Sequence, residues 1–188
     1  MNILILGHKR HGKDQVAEYI KKYFGLKFNS SSREALDLIF PTLDGLYDYT
    51  GQLERIKNLL PSNTEVNFTA KDLAFYDRHN KRILWRDLIK LVNAMDLTAL
   101  SRKILTNNQM YVGMRNFEEY NASKHLYDLI LYIDAFDRKP EIDESMDIPY
   151  ISEEMIKMTN NGTLLALESK VKNLNFEELK KWFKHCIK

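Results

Sequence analysis

Cysteine, long apolar runs and an excess of one charge are all scarce in this chain. Cys186 is the only cysteine among 188 residues, which excludes an internal disulfide and a zinc site built on cysteines. The five histidines show no metal-ligand spacing. No apolar segment approaches the ~20 residues of a membrane-spanning helix, and the apolar stretch near the start is too short for a signal peptide. We therefore expect a soluble, cytoplasmic protein with no membrane partner.

The balance of charge argues against nucleic acid as a partner. Lysine and arginine number 28 against 26 acidic residues, for a formal net charge of +2. Such a chain lacks the field that long nucleic acids attract, and it contains no recognisable DNA-binding motif. Its length predicts one domain with a substantial core, and no repeat or low-complexity linker divides it.

What the chain does contain is a phosphate-loop pattern near its start. The apolar stretch Ile3–Leu6 is typical of a buried strand, and a segment with the spacing Gly, four residues, Gly, Lys follows it. Val16, Ile20 and Phe24 then recur at helical spacing. In this setting the glycines let the backbone approach a phosphate, and the helix start adds a positive end. The residues that we predict to bind ATP here are Gly7, His8, Lys9, Arg10, His11, Gly12, Lys13, Asp14 and Gln15.

Lys13 is expected to reach the β- and γ-phosphates as a mobile point charge. The alternative is an ordinary strand-to-helix turn with an exposed basic loop. Asp14 stands where Ser or Thr is usual, and a hydroxyl there ligates Mg²⁺. A carboxylate can bind the ion directly or through water, so we predict Asp14 as a Mg²⁺ ligand, with helix capping as its alternative role. Asp134 is a second candidate for metal or water orientation, or for a cap.

Short apolar strands alternate with helices along the chain, which predicts an α/β domain with a parallel sheet and helices on both faces. The predicted strands are Ile3–Leu6, Leu26–Phe28, Met110–Val112, Leu129–Ile133 and Ile156–Thr159. Ligand residues are then expected at the carboxyl ends of the strands. A helix with Ala35 and Leu36 on its apolar face is expected to end at Pro41. Residues 42–70 are expected to be irregular, with one helix near 52–60, and residues 71–105 to be helical.

Arginines supply the positive charge that phosphoryl transfer requires around the transferred group and its acceptor. Arg115 follows an apolar strand and a glycine, with a salt bridge to Glu118 or Glu119 as its alternative role. Arg138 begins a charged segment, where it is either a lid residue or an exposed loop charge. The serines at 30–32 either bind an acceptor nucleotide or cap the next helix. The candidate arginines are Arg33, Arg78, Arg82, Arg86, Arg115 and Arg138.

The loop sequence Gly-His-Lys-Arg-His-Gly-Lys-Asp followed by Gln-Val-Ala-Glu resembles the phosphate loop of bacteriophage deoxynucleoside monophosphate kinases, which belong to the P-loop nucleotide kinases. The resemblance touches most of the chain in scattered patches. These further patches are Ser30–Ser32, Asp77–Asn80 with Arg82 and Trp85, Tyr111–Arg115 and Asn160–Thr163.

The resemblance implies a three-layer P-loop kinase fold over residues 1–188, with an acceptor-binding excursion at about 42–80 and a lid at about 137–150. It implies transfer of the γ-phosphate of ATP, with Mg²⁺, to a (deoxy)nucleoside monophosphate in the cytoplasm, the host's if the protein is phage-encoded. The protein is then a monomer or homodimer. The implied catalytic residues are Lys13, Arg115 and Arg138. Asn160 and Asn161 would lie near the donor base. The substrate-binding candidates are Ser31, Arg33, Arg78, Arg82 and Arg86.

The chain departs from the family pattern at one position. Related kinases often have an aspartate before the glycine of the arginine-bearing turn, whereas here Val112 precedes Gly113. No carboxylate there can hold the water shell of the metal, so the metal assignment depends on Asp14. Two other functions are consistent with the sequence: a P-loop kinase of another small metabolite, and a non-catalytic regulator that binds a nucleotide.

Overall fold

A computed structural model describes residues 1–61, 64–137, 139 and 146–179. The chain divides into two compact units, unit 1 (Met1–Ser31 with Leu97–Lys188) and unit 2 (Ser32–Asp96). Within the described residues the strands are β1 (Ile3–Leu6), β2 (Phe28–Ser30), β3 (Met110–Val112), β4 (Leu129–Asp134) and β5 (Ile156–Thr159). The α-helices are α1 (Lys13–Phe24), α2 (Ser31–Tyr47), α3 (Tyr49–Leu59), α4 (Ala70–Asp77), α5 (Arg82–Met95), α6 (Ala99–Asn107), α7 (Phe117–Ser123) and α8 (Leu164–Lys172).

Unit 1 is built on a five-stranded sheet in the order β2-β3-β1-β4-β5, and every pair of neighbours is parallel. Strand β1 lies at the centre, where Leu4 pairs with Tyr111 on one side and Ile130 on the other. All four residues of β1 are fully buried, as expected for a strand covered on both faces. The predicted α/β class with a parallel sheet flanked by helices is therefore confirmed.

Each face of the sheet carries its own apolar core because successive side chains of a strand point to opposite faces. Ile3 and Ile5 pack with buried residues of α1 and α8. Leu4 and Leu6 pack in a second core that includes Ile104 of α6 and Tyr120 of α7. The helices of unit 1 thus lie on both sides of the sheet.

The connections from the three central strands leave the sheet toward different faces. After β1 the chain enters α1, on the face of the first core. After β3 it enters α7, and after β4 it contributes Ile148 and Met155, all on the face of the second core. Adjacent connections that diverge in this way open a crevice at the carboxyl ends of the strands, which is where open α/β sheets bind ligands.

The edge strand β2 differs from the prediction. It covers Phe28–Ser30 rather than Leu26–Phe28, because Phe28 to Ser30 is the segment in register with β3. The apolar side chain of Leu26 packs against the first core from outside the strand. Apolar composition therefore misplaced this strand by two residues.

Unit 2 is helical, and its described core gathers residues of α2 to α5 around Leu43, Tyr49 and Trp85. The prediction that Pro41 ends the first of these helices is wrong, because α2 continues through Pro41 to Tyr47. An interior proline removes one helical hydrogen bond and costs ~3 kcal/mol. Burial of Leu43, which is 0 % exposed, offsets much of that cost.

The expectation of irregular structure from residue 42 is wrong up to Tyr47, where α2 ends, whereas the helix expected near 52–60 is confirmed as α3 (Tyr49–Leu59), which begins three residues earlier. The helical prediction for 71–105 is confirmed, with breaks before α5 and before α6. Unit 2 contains the whole predicted excursion from 42 to 80; its role in acceptor binding stays a prediction. None of the helices in the described part of the chain has the length and hydropathy that crossing a membrane requires.

Candidate functional site

The phosphate loop (Gly7–Lys13) occupies the carboxyl end of β1, and two of its positions require glycine. Gly7 has φ +142°, and a Cβ there would lie 2.6 Å from the backbone oxygen of Ile133. Gly12 has φ +93°, and its Cβ would lie 2.4 Å from Nδ2 of Asn160. At both positions the backbone conformation and the close neighbour exclude a side chain. The two motif glycines thus let the loop pack against the ends of β4 and β5.

Helix α1 begins directly at the motif lysine, with Gly12 as its N-cap and no side chain accepting a cap hydrogen bond. The first helical hydrogen bond runs from the amide of Val16 to the carbonyl of Gly12. The amides of Lys13, Asp14 and Gln15 therefore precede the helical ladder and point out of the helix start. Amides so placed, together with the helix dipole, favour an anion.

Asp14 is exposed at the second position of α1. The alternative role of helix cap is therefore wrong for Asp14, because the helix starts one residue earlier. In the described part of the chain, no group of three or more His, Cys, Asp or Glu residues could hold a metal ion. Asp14 does offer an accessible carboxylate next to the lysine, and Mg²⁺ typically binds one or two carboxylates plus substrate phosphates. The residue fits a Mg²⁺–nucleotide complex, in which the ion would neutralise developing phosphate charge.

Buried side chains hold one side of the phosphate loop in place. Asn160 is 4 % exposed, and its Nδ2 donates to the carbonyl of His11 at 2.8 Å. The His11 ring is fully buried and packs edge-on against Phe136, with ring centroids 4.8 Å apart. In contrast, Lys9 and Arg10 are exposed, and Arg10 adopts a left-handed φ of 63°. The loop therefore has a buried anchored side and an exposed basic side.

Lys13 lies beside the turn that follows β3. Its side chain is 7 % exposed, and a Cβ added to Gly113 would be 4.0 Å from its Cε. The hydroxyl of Ser31 donates to the carbonyl of Gly113 at 3.3 Å. Arg115, half-buried, follows in the same turn, and its carbonyl accepts from the amide of Asp147 at 2.9 Å. The structure thus brings Lys13, Ser31 and the Gly113–Arg115 turn to one edge of the sheet, as the strand-end rule predicted.

A buried polar pair, which the sequence did not indicate, joins β3 to α7. Glu119, 2 % exposed, accepts a hydrogen bond of 2.8 Å from the hydroxyl of Tyr111. Burial, followed by the charge of Glu119, raises the pKa of Tyr111 well above its usual value. The Tyr111 hydroxyl therefore stays protonated and keeps donating. The sequence indicates Glu119 only as an alternative salt-bridge partner of Arg115. In the structure it lies in the first turn of α7, and its amide donates to the side chain of the cap residue Asn116.

Asp134, at the end of β4, binds protein groups. Its carboxylate accepts from the amide of Phe136 at 3.0 Å and forms an ion pair with Lys157 at 3.1 Å. Partial burial alone would raise the pKa of Asp134, but these two contacts outweigh it and lower the pKa below its usual value. Asp134 is therefore ionised at neutral pH and caps the turn after its strand. The residues described directly after it form a turn and not a helix, so the predicted role of helix cap is not confirmed, and its role in orienting a metal or water stays a prediction.

The two asparagines predicted near the donor base have different surroundings. Asn160 anchors the phosphate loop, whereas Asn161 is exposed and donates to Asp137 at 2.6 Å. Arg138 and half of the predicted lid lie outside the described residues. The described end of that segment is packed, since Ile148 is 1 % exposed in the second core.

In unit 2, two of the predicted substrate-binding arginines converge on one aromatic ring. The guanidinium of Arg78 lies 3.9 Å from the centroid of Phe75 and donates to its carbonyl at 2.8 Å. The guanidinium of Arg33 lies 4.8 Å from the same centroid and pairs with Asp72 at 3.2 Å. Arg82 begins α5 and Arg86 lies one turn later, paired with Asp87 at 3.1 Å. Phe75 was not singled out in the sequence, although its helical position beside Arg78 was visible there.

Comparison with known protein families and with curated proteins finds no matching family model and no matching protein.

Proposed function

We propose that the protein is a nucleoside monophosphate kinase that transfers the γ-phosphate of ATP, with Mg²⁺, to a (deoxy)nucleoside monophosphate. The observation that carries the proposal is the phosphate loop at the carboxyl end of the central parallel strand. Its glycines are required by close contacts with Ile133 and Asn160, and α1 starts at the motif lysine. A glycine loop that opens a helix in this way is built to approach a phosphate.

The arrangement around Lys13 favours phosphoryl transfer over simple binding. The lysine lies beside Gly113, and we assign Arg115, two residues further along the same turn, as the second cationic group for the γ-phosphate. Phosphoryl transfer is catalysed mainly by such positioned charge, together with Mg²⁺. In this proposal Asp14 holds the ion with the nucleotide phosphates.

Acceptor recognition is assigned to the arginines of unit 2. Arg33 and Arg78 both lie over the ring of Phe75, and each donates to a protein oxygen, of Asp72 and of the Phe75 carbonyl. In this proposal their planar guanidinium groups rearrange to bind the acceptor phosphate. Several arginines beyond the loop imply a second anionic group, hence a phosphorylated acceptor. A nucleotide-dependent regulator would need only one phosphate site.

The test is a transfer assay with ATP, Mg²⁺ and a panel of deoxynucleoside monophosphates. We expect turnover of at least one acceptor by the wild type and a loss of roughly a hundredfold or more in Lys13→Met, since removing one preorganised donor costs about 10²–10³. Methionine keeps the apolar stem of this buried side chain. Lys27→Met, an exposed lysine of the same unit, is the matched control and should retain full activity.

Two results would overturn the proposal. Phosphorylation of an unphosphorylated metabolite, with none on any monophosphate, would assign the site to a different kinase. ATP binding without turnover on any acceptor would indicate a regulator.

A further inference from the structure

Every polar group of His11, in its backbone and in its ring, has a hydrogen-bond partner within the protein. Its amide donates to the carbonyl of His8 at 3.2 Å, and its carbonyl accepts from Asn160 at 2.8 Å. Its Nδ1 lies 3.1 Å from the amide of Ala135, and its Nε2 lies 3.2 Å from the carbonyl of Lys139. An ordinary basic loop that only faces solvent would not need a buried histidine with a hydrogen-bond partner at each polar group.

The partners of the ring define its protonation. Because the Ala135 amide can only donate, Nδ1 accepts and carries no proton. Because the Lys139 carbonyl can only accept, Nε2 carries the proton. The carbonyl of Ile133 lies farther from Nδ1, at 3.4 Å, and would compete only if Nδ1 were protonated. The contacts therefore select the neutral Nε2–H tautomer.

We propose that His11 is a positioning residue that ties the phosphate loop to the turn after β4 and thereby fixes the loop in its phosphate-binding conformation. Its carbonyl is bound to the residue after β5, and its ring contacts the Ala135 amide and the Lys139 carbonyl. These two residues are themselves joined by a hydrogen bond from the Lys139 amide to the Ala135 carbonyl at 2.7 Å. The amides of Lys13, Asp14 and Gln15, which point out of the start of α1, follow His11 closely along the chain. A shift of the ring would move those amides.

No other side chain meets both requirements at once. The site needs an acceptor and a donor on opposite edges of one rigid ring, and full burial makes an unpaired group there costly. Asparagine reproduces the acceptor at the Nδ1 position only, and glutamine reproduces the donor at the Nε2 position only. Phenylalanine keeps the packing against Phe136 and His8 but supplies neither.

The inference rests on the proposed function only in naming ATP as the ligand, so the first experiment does not use ATP. A long-range proton–nitrogen NMR spectrum of the ¹⁵N-labelled protein at pH 7.5, assigned by comparison with His11→Asn, reports the tautomer. We expect a neutral ring protonated at Nε2. A ring protonated at Nδ1, or an imidazolium, would overturn the proposal whatever the protein binds.

The second experiment measures ATP affinity by calorimetry for His11→Asn, His11→Gln and His11→Phe. We expect about three- to tenfold weaker binding for each hydrogen bond lost, and the largest loss for phenylalanine. Tyr127→Phe is the control for a merely structural effect. It removes a buried hydrogen bond to Ser101 of 2.8 Å in the second core and should lower stability without changing ATP affinity.

Equal losses of ATP affinity in Tyr127→Phe and in the His11 variants would mean that His11 contributes only to general stability, and would contradict the proposal. Unchanged ATP affinity in all three His11 variants would also contradict it. If the wild type binds no ATP, the proposed function fails. The NMR result, together with a larger stability loss in His11→Phe than in His11→Asn or His11→Gln, then tests the anchoring role alone.

Discussion

The candidate residues of unit 1 and those of unit 2 are positioned by different means. In unit 1 the phosphate loop is fixed by buried contacts: two glycines in conformations that other residues rarely adopt, a fully buried histidine ring and a buried asparagine. In unit 2 the arginines Arg33 and Arg78 are held by a ring face and by single polar contacts, among them the solvent-exposed Arg33–Asp72 pair. Exposed pairs of this kind contribute little to stability.

This difference has a functional meaning. A loop fixed by buried contacts offers one geometry, which in the proposed function suits the phosphates of the donor nucleotide. Arginines held on an aromatic face can change rotamer at small cost, since each cation–π contact contributes only ~0.5–1 kcal/mol at an exposed site. Unit 1 is therefore expected to be sensitive to single substitutions in its loop, and unit 2 to tolerate them.

The largest effect is expected from Gly12→Ala. The substitution forces alanine into φ +93° and brings its Cβ to 2.4 Å from the Asn160 amide, so the anchor of the loop must move. Strain of this kind costs ~1–3 kcal/mol, and we expect ATP affinity to fall by roughly ten- to a hundredfold, measured by calorimetry.

Gly25→Ala separates strain from the clash. Gly25 also has a positive φ, +70°, but a Cβ there would meet nothing within 4 Å. It should lower stability by about 1 kcal/mol and leave ATP affinity unchanged. An equal loss of affinity in the two variants would mean that the contact with Asn160 does not position the loop.

A smaller effect, of opposite sign, is expected from Pro41→Ala in unit 2. Alanine restores the helical hydrogen bond that the proline removes from the interior of α2, and part of this gain is offset by the greater freedom of the unfolded chain. We expect the free energy of unfolding to rise by ~2 kcal/mol. Trp85, 3 % exposed in the unit 2 core, reports the transition by fluorescence in a Trp182→Phe background. A loss of stability would show that the proline favours the folded state at this position.

Pro41 also marks a position at which tertiary packing overrides the local sequence rule. Its position predicted a helix end, yet Leu43 beyond it is fully buried and Tyr47 packs against the same core. The phosphate loop could be predicted because the apolar strand before it, its glycine spacing and the helical periodicity after it all indicated the same structure. The strands β1, β3 and β5 could be predicted from their short apolar runs. The shift of β2 was not predictable, since its register is set by pairing with β3.

The candidate site likewise contains some residues whose placement could be predicted from the sequence and others whose placement could not. Residue type and strand-end position were enough to predict that Lys13 and the Gly113–Arg115 turn lie near one edge. They could not show that Asn160 holds the His11 carbonyl, because residues 149 positions apart meet only through the sheet order. The contacts of Phe75 with two arginines could not be predicted from the sequence either, because they depend on how α2 and α4 pack.

The smallest effect is expected from Asp134→Asn, which tests whether the end of β4 stabilises unit 1 through its charge. The Phe136 amide and the Lys157 ammonium outweigh burial and hold the pKa of Asp134 below its unfolded value, which is about 3.9. A carboxylate with a lowered folded pKa contributes stability that is complete above the unfolded value and is lost as the pH falls through the folded one. The variant should therefore unfold about 1 kcal/mol more easily at pH 7, and the gap to the wild type should close below about pH 4. Lys157→Met, which leaves the amide contact intact, should show a smaller gap; a gap that stays constant from pH 7 to pH 3 would mean that the charge of Asp134 contributes nothing.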